Sequence, residues 1–326
     1  MNLDYQAVKR QSQQVFGQFG KSRWIPFAKE NAVHKNRQNP ESLRGTGVGK
    51  ILVSVGLGAS LEENIDALKK YRDKFDLICC DKSFKVLLDN GIKPDYVMLA
   101  DCNIVWQKWG PKEQDTEGVK LISTPYGNVA WTRKWRGPVY FYVNRDAINS
   151  EEIFLEIMGN ETRSIPASTN VANAQVVFWT GMDEFTQVQF GMYERILLVG
   201  YDYSWRPKGN YYAFHDPKPK RYYMNHRTCL DINRDLCFSS DNLVFSSQWM
   251  SDYCKAFKNN FHIINCSGRG LLDIESSTIE KQLENINPKF SGYILAAYQS
   301  AQQAQASLEA SLGLITMQRE AFYGAR

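Results

Sequence analysis

The chain has no CxxC pair among its seven cysteines, and an odd, scattered set of thiols argues against both a disulfide framework and a zinc ribbon. Reduced, mostly buried thiols are the expectation. The chain also lacks any apolar run approaching the roughly 18 residues needed to cross a bilayer, and the polar start MNLDYQAVKRQSQQ has no apolar signal core. The expected location is therefore cytoplasmic. A strong overall charge is missing too: 39 Lys and Arg against 35 acids leave a net charge of +4, which does not demand a nucleic-acid partner.

What is present is ordinary for a soluble globular protein: 326 residues, 43% apolar and 23% charged. That length can bury a full α/β core, as one large domain with extensions or as two smaller ones. Charge is uneven locally. The first fifty residues carry nine Lys or Arg against three acids, and Arg206 to Arg227 carries six against one.

From Ile51 to Leu61 the sequence reads ILVSVGLGASL. Ile51, Leu52, Val53 and Val55 form a short apolar strand, and Gly56 and Gly58 permit a tight turn with close approach of a ligand. Ser60 followed by Glu63 reads as a capping box, which predicts a helix from Leu61 with its free N–H groups facing the loop. This is the usual construction of a phosphate site. A dinucleotide fingerprint would place a third glycine where Leu61 stands, yet Asp81 follows about twenty residues on, where an acid commonly meets a ribose hydroxyl. The competing reading is that any α/β domain needs glycines where a strand turns into a helix.

Strands at 50–55, 76–80 and 96–100 alternate with helices at 61–71 and 83–90, and further strands are expected at 119–123, 139–143, 195–199 and 261–265. Short connections between alternating elements predict an α/β, Rossmann-like, mostly parallel sheet with helices on both faces. A helix over 171–180, capped by Ser168 or Asn170, would start at the same sheet edge as the glycine turn. In such sheets ligands sit at the carboxyl ends of the strands. Here those ends are Gly56 to Ser60, Asp81, Asp101 to Asn103, Ser168 to Asn170 and Gly200 to Ser204. The expected organisation is a basic N-terminal extension at 1–48, a nucleotide-binding transferase domain at 49–275, and a helical C-terminal extension at 276–326. In that last part Ile294, Ala297, Ala301, Ala304, Leu308, Leu312 and Ile315 line one helix face, a seam for its own domain or for a second subunit in a homo-oligomer.

The segment Ile196 to Thr228 holds eight aromatic residues, among them Tyr201, Tyr203, Trp205, Tyr211, Tyr212 and Tyr223, together with six Lys or Arg, His215 and His226. Long irregular segments inside compact domains are often lids or binding loops. Cations and phenols suit a leaving phosphate, and an imidazole can take a proton near neutral pH. A solvated loop with tyrosines folded onto the core is the plain alternative, and for His226 a structural core role.

The block VGLGASLEENIDALKKY with FDLICCDKSFKVLLDNGIKPDYVMLADCN resembles the nucleotide-binding half of a superfamily that includes motility accessory factor glycosyltransferases and the archaeal hydroxymethylpterin diphosphokinase-like (MptE-like) proteins. Later segments, SIPASTNVANAQ, ILLVGYDYS, NYYAF, YMNH and INCSGRGLLDI, resemble segments in the same order in the bacterial CMP-sialic acid-dependent sialyltransferases. The resemblance covers about 50–275. It implies that His226 of a Tyr-x-x-His element deprotonates an acceptor hydroxyl while Tyr212 and Tyr223 stabilise the leaving nucleotide, with inversion and without metal. It further implies donor contacts at Gly56, Gly58, Ser60, Ser168, Thr169, Asn170 and Asp202, to which the strand-end reading adds Asp81, Asp101 and Asn103. The chain departs from the sialyltransferase pattern at Leu57 and Ser204, and from the diphosphokinase pattern in having one acid, Asp101, where two would hold magnesium.

The leading expectation is a nucleotide-sugar-dependent glycosyltransferase with no resident cofactor, a CMP-linked donor, and a glycan, protein or nucleic acid as acceptor. The alternatives are an ATP- and magnesium-dependent diphosphokinase and a non-catalytic nucleotide- or nucleic-acid-binding protein of the same fold. NAD-dependent oxidoreduction ranks below these, because the glycine pattern is incomplete.

Overall fold

The computed structural model describes residues 20–145, 150–159, 161–166, 168, 170–181, 189–214 and 226–284. The chain divides into two units, Met1–Asn285 and Ile286–Arg326. The helix expected over 293–317 lies outside the described residues, as do positions 1–19.

In the first unit an eight-stranded sheet is built from β1 (Ile51–Val55), β2 (Asp76–Cys80), β3 (Tyr96–Leu99), β4 (Lys120–Ser123), β5 (Val139–Asn144), β6 (Arg163–Ile165), β7 (Arg195–Val199) and β10 (Ile263–Asn265). Its order is β10-β7-β1-β2-β3-β4-β5-β6, and every neighbouring pair is parallel. The central strands are mostly aliphatic and aromatic and are buried on both faces, as all five residues of β1 are, which is how a parallel sheet covered by helices reads. The expected fold class is the observed one. The three-residue β6 and an antiparallel hairpin, β8 (Arg227–Leu230) with β9 (Leu236–Ser239), are additions that periodicity did not announce.

The helices are α1 (Ile25–Ala32), α2 (Leu61–Lys70), α3 (Asp81–Asp89), α4 (Trp106–Trp109), α5 (Val129–Lys134), α6 (Ser150–Met158), α7 (Val171–Thr180), α8 (Asp241–Ala256) and α9 (Ile279–Glu284). One face of the sheet, through Leu52, Ile78, Met98, Ile122 and Tyr140, packs with α7 and α8. Every residue of α7 from Asn173 to Thr180 is buried, so this helix shows no amphipathic stripe.

Before β1 the chain is tied to the sheet. Buried Asn31 donates to the carbonyls of Pro125 and Gly127 and accepts from Thr132. Val139 exchanges backbone bonds with Asn36 and Gln38 at the start of β5. At the other end Ile279 and Leu283 of α9 are fully buried, and the Tyr71 hydroxyl donates to Glu284 at 2.9 Å. Residues 276–284 thus belong to the first unit.

Topology sets the site. The strand sequence advances from β1 to β6 in one direction, then returns to place β7 on the other side of β1, and this reversal opens a crevice at the carboxyl ends. Val55 is level with Cys79 on one side and with Val199 on the other. The loops that follow β1, β2 and β7 therefore leave the sheet side by side.

Candidate functional site

The glycine turn after β1 is shaped by the turn after β7. Gly56 N–H donates to the Val199 carbonyl at 2.8 Å and Gly58 N–H to the Gly200 carbonyl at 2.9 Å. A Cβ on Gly56 would lie 2.4 Å from the Gly200 oxygen, and one on Gly58 would lie 2.6 Å from Asp202 Cγ. Gly200 itself has φ +72°. Glycine is required here because two loops cross backbone to backbone, which is the structural competitor of the ligand-approach reading.

The expected capping box does not form. Helix α2 starts at Leu61, but Ser60 has helical φ and ψ and makes no side-chain cap bond. Instead its N–H donates to Asp202 Oδ2 at 2.9 Å and its hydroxyl donates to Asp202 Oδ1. Asp202 is 3% exposed, with Arg269 Nε 3.5 Å away. A protein carboxylate thus occupies the helix N-terminus where a phosphate was expected, because an internal anion satisfies the same orphan N–H groups and dipole. Burial pushes the Asp202 carboxyl up to about 6, against the bonds from Ser60 and the charge of Arg269. Ser60 is fully buried, and Asp202 borders a separate hollow of about 290 Å³ with Glu63, Arg206 and Arg269.

The larger cleft, about 530 Å³, opens over the ends of β1, β2, β3, β5 and β7 and under the start of α7. It gathers Gly56, Gly58, Asp81, Asp101, Ser168, Asn170 and Tyr212 from the expected set. Thr169 and Tyr223 lie outside the described residues. Asn103 supports Asp101 from outside the lining: its N–H and Nδ2 donate to Asp101 Oδ1 at 2.8 and 3.1 Å, while its Oδ1 accepts from Arg23 at 2.7 Å. Of the two cap candidates for α7, Asn170 serves, accepting from Asn173 N–H at 2.9 Å. Ser168 turns to Asn144 Oδ1 at 3.3 Å.

Asp81 is the first residue of α3 and 2% exposed. It accepts the N–H of Lys82 at 2.7 Å and that of Ala100. Burial pushes its carboxyl up to about 6; Lys82 opposes the shift and Asp101 adds to it. Lys82, which the sequence reading passed over, donates to the Tyr212 hydroxyl at 3.2 Å and stands over the rings of Trp109 and Tyr212 at 5.5 and 5.1 Å. Burial alone would lower its pKa, but Tyr212 and Asp81 outweigh it and raise it. A signal was available: a lysine in the first turn of a helix opposes the macrodipole, so its placement needs an anion nearby.

Beneath the cleft lies a buried polar layer. Ser54 Oγ sits between Gln175 Oε1 (2.6 Å) and the Tyr201 hydroxyl (2.7 Å), Tyr201 donates to the Ala172 carbonyl, and Gln175 Nε2 meets Cys80 Sγ at 2.8 Å. These bonds fix the walls before any ligand arrives.

His226 lies outside the lining of this cleft. Its ring packs on Phe238 at 4.3 Å and Trp205 at 6.5 Å. Trp205 leads by ring contacts to Tyr211 (4.9 Å), Tyr212 (4.6 Å further) and Trp109 (6.2 Å). This aromatic chain is anchored on the glycine turn and the start of α2, since Ala213 N–H donates to the Leu57 carbonyl and Phe214 N–H to Glu62. Among the described residues no group of three His, Cys, Asp or Glu gathers to hold a metal, and no helix is long and apolar enough to cross a membrane.

Comparison with known proteins gives two findings. The family model described as 6-hydroxymethylpterin diphosphokinase MptE-like matches residues 28–208. The chain is similar in structure to the MAf glycosyltransferase from Magnetospirillum magneticum AMB-1, with a TM-score of 0.54 and 16% identity, over 83% of this chain and 42% of that one. At that identity the likeness is one of fold, and this chain spans well under half of its neighbour's length. No curated protein matches.

Proposed function

Since the chain belongs to the MptE-like family, we propose that it is a nucleotide-dependent group transferase, and specifically a glycosyltransferase that draws on a nucleotide-sugar donor. The observation that carries this reading is the pair Lys82 and Tyr212, a half-buried cation hydrogen-bonded to a phenol at 3.2 Å on the wall of a cleft at the topological switch point. A leaving phosphate needs charge neutralisation and a hydrogen-bond donor in a partly dry site, and this pair offers both. The fold of the MAf glycosyltransferase is in keeping with it.

In this mechanism the phosphates rest against Lys82 and Tyr212. The acceptor hydroxyl loses its proton to a base and attacks the anomeric carbon from the side opposite the departing nucleotide, a single displacement that inverts the centre. His226 is proposed as that base through its resemblance to the Tyr-x-x-His element. Its link to the cleft is the ring chain through Trp205 and Tyr211 to Tyr212.

A second reading, an ATP-dependent diphosphokinase, gains from one observation. The sequence has a single acid in its Asp101 segment, but Asp81, just past the end of the neighbouring strand β2, faces the same cleft and interacts electrostatically with Asp101. Magnesium bound with a nucleotide is commonly held by one or two carboxylates and the phosphates themselves, a donor set that these two residues match.

Calorimetric titration of the protein with CMP, UDP, GDP and ATP, each with and without magnesium, tests both. Metal-independent binding of one nucleotide, with His226→Ala leaving affinity within about threefold while donor turnover falls by about 100-fold or more, is the expected result. Binding of ATP that requires magnesium and is lost in Asp101→Asn would transfer the assignment to the diphosphokinase.

A further inference from the structure

We propose that the hydroxyl of Tyr142 is a specificity determinant that receives a ring hydroxyl of the bound nucleotide, shared with the Asp81 carboxylate. This rests on the nucleotide-transferase reading above. Tyr142 stands on β5, is 0% exposed and borders the floor of the cleft. Among the described residues its hydroxyl has no hydrogen-bond partner. The groups within its electrostatic reach are committed elsewhere: Tyr126 bonds to Asn144, Cys80 Sγ meets Gln175 Nε2, and Asp81 takes the N–H of Lys82. Phenylalanine would fill the same space without a stranded oxygen, and a buried hydroxyl without a partner destabilises the protein that carries it.

The chemistry of the missing partner follows from its neighbours. Tyr142 lies within electrostatic reach of Asp81 and Tyr126. Ionised Asp81 only accepts hydrogen bonds, and it already takes two backbone N–H groups, from Lys82 and Ala100. A ligand group that takes the phenol's proton and also serves Asp81 must donate to the carboxylate and accept from the phenol. A ring hydroxyl does both, a carbonyl cannot donate, and a phosphate is repelled by Asp81 and drawn to Lys82. The nucleotide is thereby oriented with its phosphates toward Lys82 and Tyr212 and its ribose toward Tyr142.

The test titrates the full chain and Tyr142→Phe with CMP, UDP, GDP and ATP and with their 2′- and 3′-deoxy counterparts, and records the melting temperature of both proteins without ligand. The expected result has three parts. The wild type binds a ribonucleotide about tenfold more tightly than one of its deoxy forms. Tyr142→Phe binds the ribonucleotide at the deoxy level, with deoxy affinity unchanged. The variant without ligand melts at the same temperature or higher. Discrimination that survives in Tyr142→Phe, an equal weakening of both ligand forms, or a lower melting temperature would overturn the inference while leaving the transferase reading intact. No binding of any of these nucleotides to the wild type would overturn both.

Discussion

Asp81 and Asp202 are both buried carboxylates at strand ends, both pushed up to about 6, and they are occupied differently. Asp202 is bonded by Ser60 and faced by Arg269, so its charge closes the end of α2. Asp81 is held by backbone N–H groups and turned to the cleft. Its folded pKa lies above the ordinary carboxylate value of 3.8, so between about pH 4 and pH 6 the folded protein binds more protons than the unfolded chain. Stability from this residue is therefore highest below about pH 4 and is lost as pH rises to about 6. Asp81→Asn keeps one accepting oxygen and removes the titration. Urea unfolding across that window should show the wild type losing stability relative to the variant with rising pH, on the order of 1–3 kcal/mol, and a constant difference above it. A difference that grows in the opposite direction would mean that the charged form is stabilised in the fold.

At the scale of elements, the crossing of the β1 and β7 turns is the joint on which the site is assembled. A methyl group on Gly56 would sit 2.4 Å from a backbone oxygen that is fixed by its own strand, so the turns would have to separate. Gly118 provides the contrast: its φ is +74°, yet a Cβ there meets nothing within 4 Å. Gly118→Ala should cost about 1 kcal/mol of backbone strain, and Gly56→Ala about 3 kcal/mol or more from overpacking, measured by the same urea titrations. Equal costs would show that conformation, not the close approach, is what glycine supplies after β1. The helix α3 makes the same point about function at an element's end: its first turn delivers Asp81 and Lys82 together, one suited to the helix dipole and one opposed to it.

For the whole molecule, the reversal of strand order between β6 and β7 decides where the cleft lies, and the chain before β1 and after β10 completes the body around it. Ile279 and Leu283 are each 0% exposed against that body. A chain ended after Glu275, at the boundary that composition suggests, should be less stable than one ended after Asn285 by about 3 kcal/mol or more, given about 1.5–3 kcal/mol for each large aliphatic side chain exposed. Thermal melting of the two truncated proteins checks this. Equal melting temperatures would place α9 outside the cooperative unit.

The sequence by itself determined the parallel α/β fold, because buried strands are written as local apolar runs and helices as local periodicity and caps. Strand limits at 76–80 and 195–199 and the Asn170 cap were legible for that reason. It also placed Asp81 and Asp101 at the edge that lines the cleft, since in a parallel sheet every strand's carboxyl end points the same way, whereas Tyr212 was singled out through the resemblance alone. Tertiary structure alone decided which groups meet. Asp202, 142 residues from Ser60, displaces the expected capping box. Lys82 reaches Tyr212 across 130 residues, and the Tyr142 hydroxyl is left without a partner. Hydrogen bonds and close approaches between distant segments depend on how strands are ordered in the sheet, and that order leaves no periodic mark on the chain.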